Sequence, residues 1–258
     1  MEGGKEFTKI DTAEKWAYPY FKEYMLALTR GSDFLLPFDR YPKRIELSSP
    51  WHELLDQMRR ESRDGTERWA LVGFKDDQRS LYLPRTLTKG SSHGVSVEIR
   101  VKAIEQAKTK AGITSLVGDI HSHPNGWFRR LERLQNPLYA PFKGNVQGFS
   151  IGDLFGLKFK PFIGLSEVDR NLFAFKSRET DTNPADALES NYNEFNRYWS
   201  NKFGIKVATI KNFPLAIPTK PTSILYNTWS ANKMIAGRYK IVLYQGFPGK
   251  DLVRVLPK

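Results

Sequence analysis

The sequence has 258 residues and no cysteine. That absence excludes disulfides, thiolate nucleophiles and zinc sites built on Cys ligands. Histidine is scarce as well, with four in the chain, so two of them close together carry more weight than they would elsewhere. No apolar run approaches the roughly 20 residues that a membrane span needs. The first residues, Met1-Glu2-Gly3-Gly4-Lys5, hold no apolar signal-peptide core. The expectation is a cytoplasmic protein with no membrane partner. There is also no internal repeat and no low-complexity Lys/Arg tail.

What is present suits a folded enzyme-sized chain. A content of 40% hydrophobic and 13% aromatic residues is enough for a sizeable core, in one large domain or one domain with extensions. The net charge of +12 is unevenly spread. Residues 1–43 are neutral, with seven basic and seven acidic groups. Residues 44–177 carry +6 (21 and 15), and residues 178–258 carry +6 (12 and 6). Such a balance is compatible with nucleic acid or an acidic protein partner, and equally with a solvated basic surface.

Along the chain, residues 11–31 read as an amphipathic helix. Asp11 or Thr12 would cap it, Trp16, Tyr20, Met25, Leu26 and Leu28 would form its apolar face, and Gly31 would end it. After Pro37 and Pro42 the pattern becomes α/β. A helix is expected over 50–60, begun by Ser48/Ser49 with Pro50 in its first turn. Strands follow at 67–74 and 81–83. Val95 to Val101 alternates as a strand, with a short helix from Ile104 to Ala111 closed by Gly112. Phe162–Leu165 and Asn171–Phe175 form an expected hairpin. A helix is expected from Asn183-Pro184 to about Phe203, and a second hairpin joins 239–244 to 252–255.

The chemistry gathers at Ile113 to Pro124. An apolar strand leads into His121-Ser122-His123-Pro124. Side chains two apart on a strand project from one face, so the two imidazoles can address one metal ion. Pro124, which cannot donate to a sheet ladder, would end the strand there. A catalytic zinc takes three protein ligands and leaves a position for water. His121 and His123 supply two ligands, and Asp153 is the natural third, in the first turn of a helix opened by Ser150-Ile151-Gly152-Asp153. Ser150 lies on the same side of that helix start, where it could hydrogen-bond a developing oxyanion. Hydrolysis also needs a base to move the proton of the water, and a glutamate suits that role.

Taken together, these residues resemble the signature of the JAMM (MPN, or JAB) metalloprotease family: a strand glutamate, then His-x-His-Pro, then Ser-x-x-Asp. Glu67, in Glu67-Arg68-Trp69-Ala70-Leu71-Val72-Gly73, matches the first element. The resemblance covers about residues 44–177 and is to JAB peptidases of the prokaryotic type. It implies an α/β fold, the MPN (cytidine-deaminase-like) mixed β-sheet flanked by helices. Residues 1–43 would then be an N-terminal helical extension and 178–258 a C-terminal α+β extension. It further implies Zn2+ held by His121, His123 and Asp153, Glu67 as general acid/base, and Ser150 assisting the tetrahedral intermediate. The substrate would be a protein tail, ubiquitin-like in many family members, cut at a peptide or isopeptide bond.

One departure stands out: 25 residues, 125–149, separate the two halves of the motif where the family has a short loop. Such an insertion can bulge outward with its ends in place, since closure entropy grows slowly with length. It could also cover the site. Trp127, Phe128, Arg129, Arg130 and Arg133 would offer a contact surface; a solvated loop without a role is the alternative. Glu98 is a rival base if Val95–Val101 is a strand facing the cleft. A non-catalytic MPN scaffold and a nucleic-acid-associated, RadC-like protein are the competing functions.

Overall fold

The computed structural model describes residues 14–75, 80–91, 94–123, 148–149, 151–180 and 229–258. Its elements are β1 (Lys15–Trp16), α1 (Tyr18–Leu28), β2 (Arg44–Ile45), α2 (Ser49–Glu61), β3 (Arg68–Lys75), β4 (Leu81–Tyr82), β5 (Thr88–Lys89), α3 (Val97–Ala111), β6 (Ile113–Ser122), α4 (Ile151–Gly156), β7 (Phe162–Ser166), β8 (Asn171–Lys176), α5 (Trp229–Arg238), β9 (Ile241–Gly246) and β10 (Leu252–Leu256). All the strands join one mixed sheet in the order β1-β2-β10-β9-β8-β7-β6-β3-β4, with β5 also on β3. The chain is thus mixed α/β, a single sheet flanked by helices.

Alternation along the central strands divides the core between the two faces. Ala70, Val72, Phe74, Ile120, Phe162, Phe173 and Phe175 pack with Phe21, Tyr24 and Met25 of α1 and Trp51, Leu54, Leu55 and Met58 of α2. The intervening residues of the strands point the other way. Trp69 and Leu71 meet α3 through Ala107, while Ile163, Leu165, Leu172, Ala174, Ile241 and Leu243 meet α4 and α5. Each helix therefore covers its own part of a sheet too hydrophobic to face water.

The sheet runs on beyond residue 177. β9 pairs antiparallel with β8 over six residues, β10 continues to β2, and β1 closes that edge. Buried tyrosines fasten the join. Tyr24 and Tyr41 share a hydrogen bond of 2.8 Å, the Tyr41 hydroxyl donates to the Lys176 carbonyl at 2.7 Å, and Tyr244 donates to the Pro42 carbonyl at 2.7 Å. Burial pushes the Tyr24 phenol above its ordinary range, so all three remain neutral donors.

Two sequence expectations need correction. The first helix begins at Tyr18, not near residue 11, because Trp16 is drawn into the sheet as part of β1 and is fully buried. Pro19, which has no N–H to satisfy, sits in the first turn. Asp11 and Thr12 fall outside the described residues. The second correction concerns Val95 to Val101, which form no strand. Ser96 caps a single helix from Val97 to Ala111 by accepting the Ile99 N–H, and Gly112 ends it at φ 66°. The alternating Val97, Ile99 and Val101 are exposed, and the buried contact comes instead from Ala107 at helical spacing. The 50–60 helix, the 162–175 hairpin and the 241–256 hairpin form as expected. The helix expected at 183–203 lies outside the described residues.

Candidate metal centre

The site lies at the C-terminal end of β6. β6 pairs antiparallel with β3 on one side and parallel with β7 on the other. A parallel pair requires a crossover, and the chain between β6 and β7 carries α4. In such a β–α–β unit the helix runs back against the strands, so its first turn stands at their C-terminal ends. That is where Asp153 is needed. Behind it, Leu154, Leu157 and Phe149 are fully buried against Ile163, Leu165 and Ile235. The Asn232 side chain of α5 donates to the Phe149 carbonyl at 2.8 Å.

β6 is placed with equal economy of space. A methyl group on Gly118 would collide with the Phe162 carbonyl, so the glycine lets β6 and β7 pair closely just ahead of the histidines. Ser122, fully buried between them, turns to the opposite face and accepts the Arg68 N–H at 2.9 Å. Sequence reading passed over this serine, since nothing in His-x-His marks the middle residue as a register lock.

The ligand atoms converge. His121 Nε2 lies 3.3 Å from His123 Nε2 and 3.3 Å from Asp153 Oδ2, and His123 Nε2 lies 3.7 Å from the same oxygen. Metal–ligand bonds of about 2.0–2.1 Å in a tetrahedron put neighbouring donors about 3.3 Å apart. The three atoms thus have the spacing of one face of such a tetrahedron, and the group could hold a metal ion. A neutral imidazole can donate one N–H to the carboxylate, but a hydrogen bond engages only one pair of these three atoms at a time. A divalent cation satisfies all three lone pairs at once. The His121 side chain is 6% exposed, His123 15% and Asp153 19%, so the cluster is largely buried. The 25 residues between the motif halves do not part them.

Without a metal, charge does the pairing. Burial disfavours a charged His121 ring, but the Asp153 carboxylate, helped by Glu67 and Asp119, outweighs it and pushes His121 up to about 9. Burial likewise works against an ionised Asp153, yet His121 and His123 hold its carboxyl well below the usual range.

Glu67 immediately precedes β3 and is buried. Its N–H donates to the Ser91 carbonyl and its carbonyl accepts from Gly90, both at 2.9 Å. Trp69 pairs with His121, so continuing the register by two residues sets Glu67 beside His123 on the same face. Gly94, at φ 142°, brings backbone against its carboxylate: a Cβ there would lie 3.4 Å from Glu67 Oε2. Glu98 is not on a strand of the cleft. It is exposed in the first turn of α3, where a carboxylate suits the positive end of the helix. Ser150, Pro124 and residues 125–147 lie outside the described residues, as do Trp127, Phe128 and the three arginines of that stretch.

One further pair escaped the sequence. Asp119, two residues before His121 and so on its face, forms a largely buried ion pair with Lys160. The i, i−2 spacing could have flagged Asp119; no local signal marked Lys160. Among the described residues no helix is long and apolar enough to cross a membrane. Compared with protein-family models, curated proteins and solved structures, the chain gave no match in any of the three.

Proposed function

We propose that this chain is a zinc-dependent peptidase or isopeptidase of the JAMM type, with the MPN arrangement of sheet and helices. The observation that carries the reading is the convergence of His121, His123 and Asp153 at tetrahedral spacing, with Glu67 on the same face of the sheet. A zinc ion bound by these three side chains would supply a Lewis acid and bring the pKa of a bound water near 7.

The chain's own residues then have distinct tasks. His121 and His123, on one rigid strand, fix two ligands relative to each other. Asp153, from the crossover helix, adds a negative charge and a third ligand. Glu67 is the proton carrier, accepting a proton from the attacking water and delivering it to the leaving amine. Ser150, three residues before Asp153 in the sequence, is the proposed donor to the developing oxyanion. The substrate is a protein tail, a ubiquitin-like C-terminus being the first class to test, entering as an extended strand.

A purely structural role is the less favoured reading, because an MPN domain that serves only in assembly has no need of three converging ligands and a buried glutamate. The deciding experiment is elemental analysis of the purified protein beside the His121→Ala/His123→Ala variant. About one zinc per wild-type chain, lost in the variant, is the expected result. No metal in wild type, even after zinc is supplied, would return the chain to the scaffold reading.

A further inference from the structure

The three ligands come from two pieces of structure that share no secondary structure. His121 and His123 belong to β6, while Asp153 sits on a helix of only six residues. The link from Asp153 toward β6 through residue 150 is long in sequence. On its other side, the link to the sheet is short: six residues separate Asp153 from Lys160, and β7 begins at Phe162.

That short link is fastened to the histidine strand itself. Lys160 Nζ binds Asp119 Oδ2, with side chains only 25% and 9% exposed. The lysine stem also runs under α4, since a Cβ on Gly156 would meet Lys160 Cε at 3.4 Å. Asp119 stands two residues before His121 on the same face, and its backbone neighbour across the sheet is Ile163 of β7. The ion pair therefore joins the end of the Asp153 helix to the strand that carries the other ligands. Surface ion pairs contribute little, but a largely buried one with fixed partners constrains geometry even where its net stabilisation is small.

We propose that Asp119 and Lys160 are positioning residues, a brace that sets Asp153 against His121 and His123 at metal-binding distance. The inference rests on the metal-centre reading above and adds residues that touch neither metal nor substrate. Groups that orient ligands from behind typically change metal affinity by about 10- to 100-fold when lost, and an effect in that range is expected here.

The test uses the full-length chain with Co2+ as the probe, its visible absorption reporting coordination and chelator competition reporting affinity. Lys160→Met keeps the stem and removes the charge. Asp119→Asn/Lys160→Met removes both charges, so no buried carboxylate is left unpaired and the fold is spared. Lys160→Arg keeps the cation. Expected are a tetrahedral cobalt spectrum in wild type, binding weakened at least tenfold with an altered spectrum in the first two variants, and recovery in the arginine variant. Thermal melting of the metal-free proteins serves as the structural control. A folded double variant with wild-type affinity and spectrum overturns the brace, and so does a loss of melting temperature with cobalt binding unchanged. Wild type that binds neither cobalt nor zinc overturns the metal-centre reading itself, and the brace with it.

Discussion

Changing pH while titrating a divalent ion into the metal-free protein tests the charge arrangement around His121. In the metal-free chain Asp153, with Glu67 and Asp119, holds that ring protonated up to about 9, and a metal ion must displace the proton. Asp153 stays ionised throughout, being held well below the usual range. Between pH 8 and pH 6 a ring titrating near 9 loses about a hundredfold in its neutral fraction; an unperturbed imidazole would lose only about fourfold. Zinc affinity, read by chelator competition, is expected to fall by about a hundredfold from this ring alone. Calorimetry at pH 7.5 in buffers of different ionisation enthalpy should show about one proton released from His121 per ion. The stability of the metal-free protein follows with the opposite slope. Because the folded-state pKa is raised above 6.5, the His121–Asp153 pairing stabilises fully below that value. Its contribution is lost as the pH rises through about 9. The Asp153 contribution, from a lowered pKa, is present above about 3.8 and lost on acidification. A zinc affinity that changes fourfold or less between pH 8 and pH 6 would refute this charge arrangement.

Other consequences are sharp enough to measure. Glu67→Gln should leave metal content unchanged and abolish cleavage of ubiquitin-like fusions; full activity in that variant would remove Glu67 as the base. Gly118→Ala should lower stability by about 1–3 kcal/mol in urea melts, because the added methyl meets the Phe162 carbonyl. A neutral result would mean that β6 and β7 pair less closely than described. Ser122→Ala should cost about 1–3 kcal/mol by leaving the buried Arg68 N–H without its acceptor. Val97→Ser, on the exposed face of α3, should move stability by no more than about 0.5 kcal/mol. A large loss there would support the alternating-strand reading.

The chemistry of the candidate site was legible in the sequence because it is local. His121 and His123 share a face by the two-residue period of a strand, whatever the rest of the chain does, and Asp153 stands in the first turn of its helix. Strongly marked elements were legible for the same reason: the Ser49–Glu61 helix with its early proline, and the hairpins at 162–176 and 241–256.

What depended on distant partners was not legible. Val95, Val97, Ile99 and Val101 alternate as a strand would. The Ser96 cap, the helix-favouring run to Ala111 and the packing of Ala107 on Trp69 and Leu71 put Val97, Ile99 and Val101 in a helix, which left Glu98 in solvent. Trp16 reads as a helix residue until β2 pairs with it. Residues 241–256 read as an extension until β9 pairs with β8 and extends the central sheet. Local sequence determined which groups could bind a metal. Tertiary structure brought Asp153 to within 3.3 Å of His121, across a separation of 32 residues. It did so through a parallel strand pair, a crossover helix anchored by the buried Leu154 and an ion pair between Asp119 and Lys160. No local pattern encodes such long-range contacts, because each depends on surfaces that exist only once the sheet has formed.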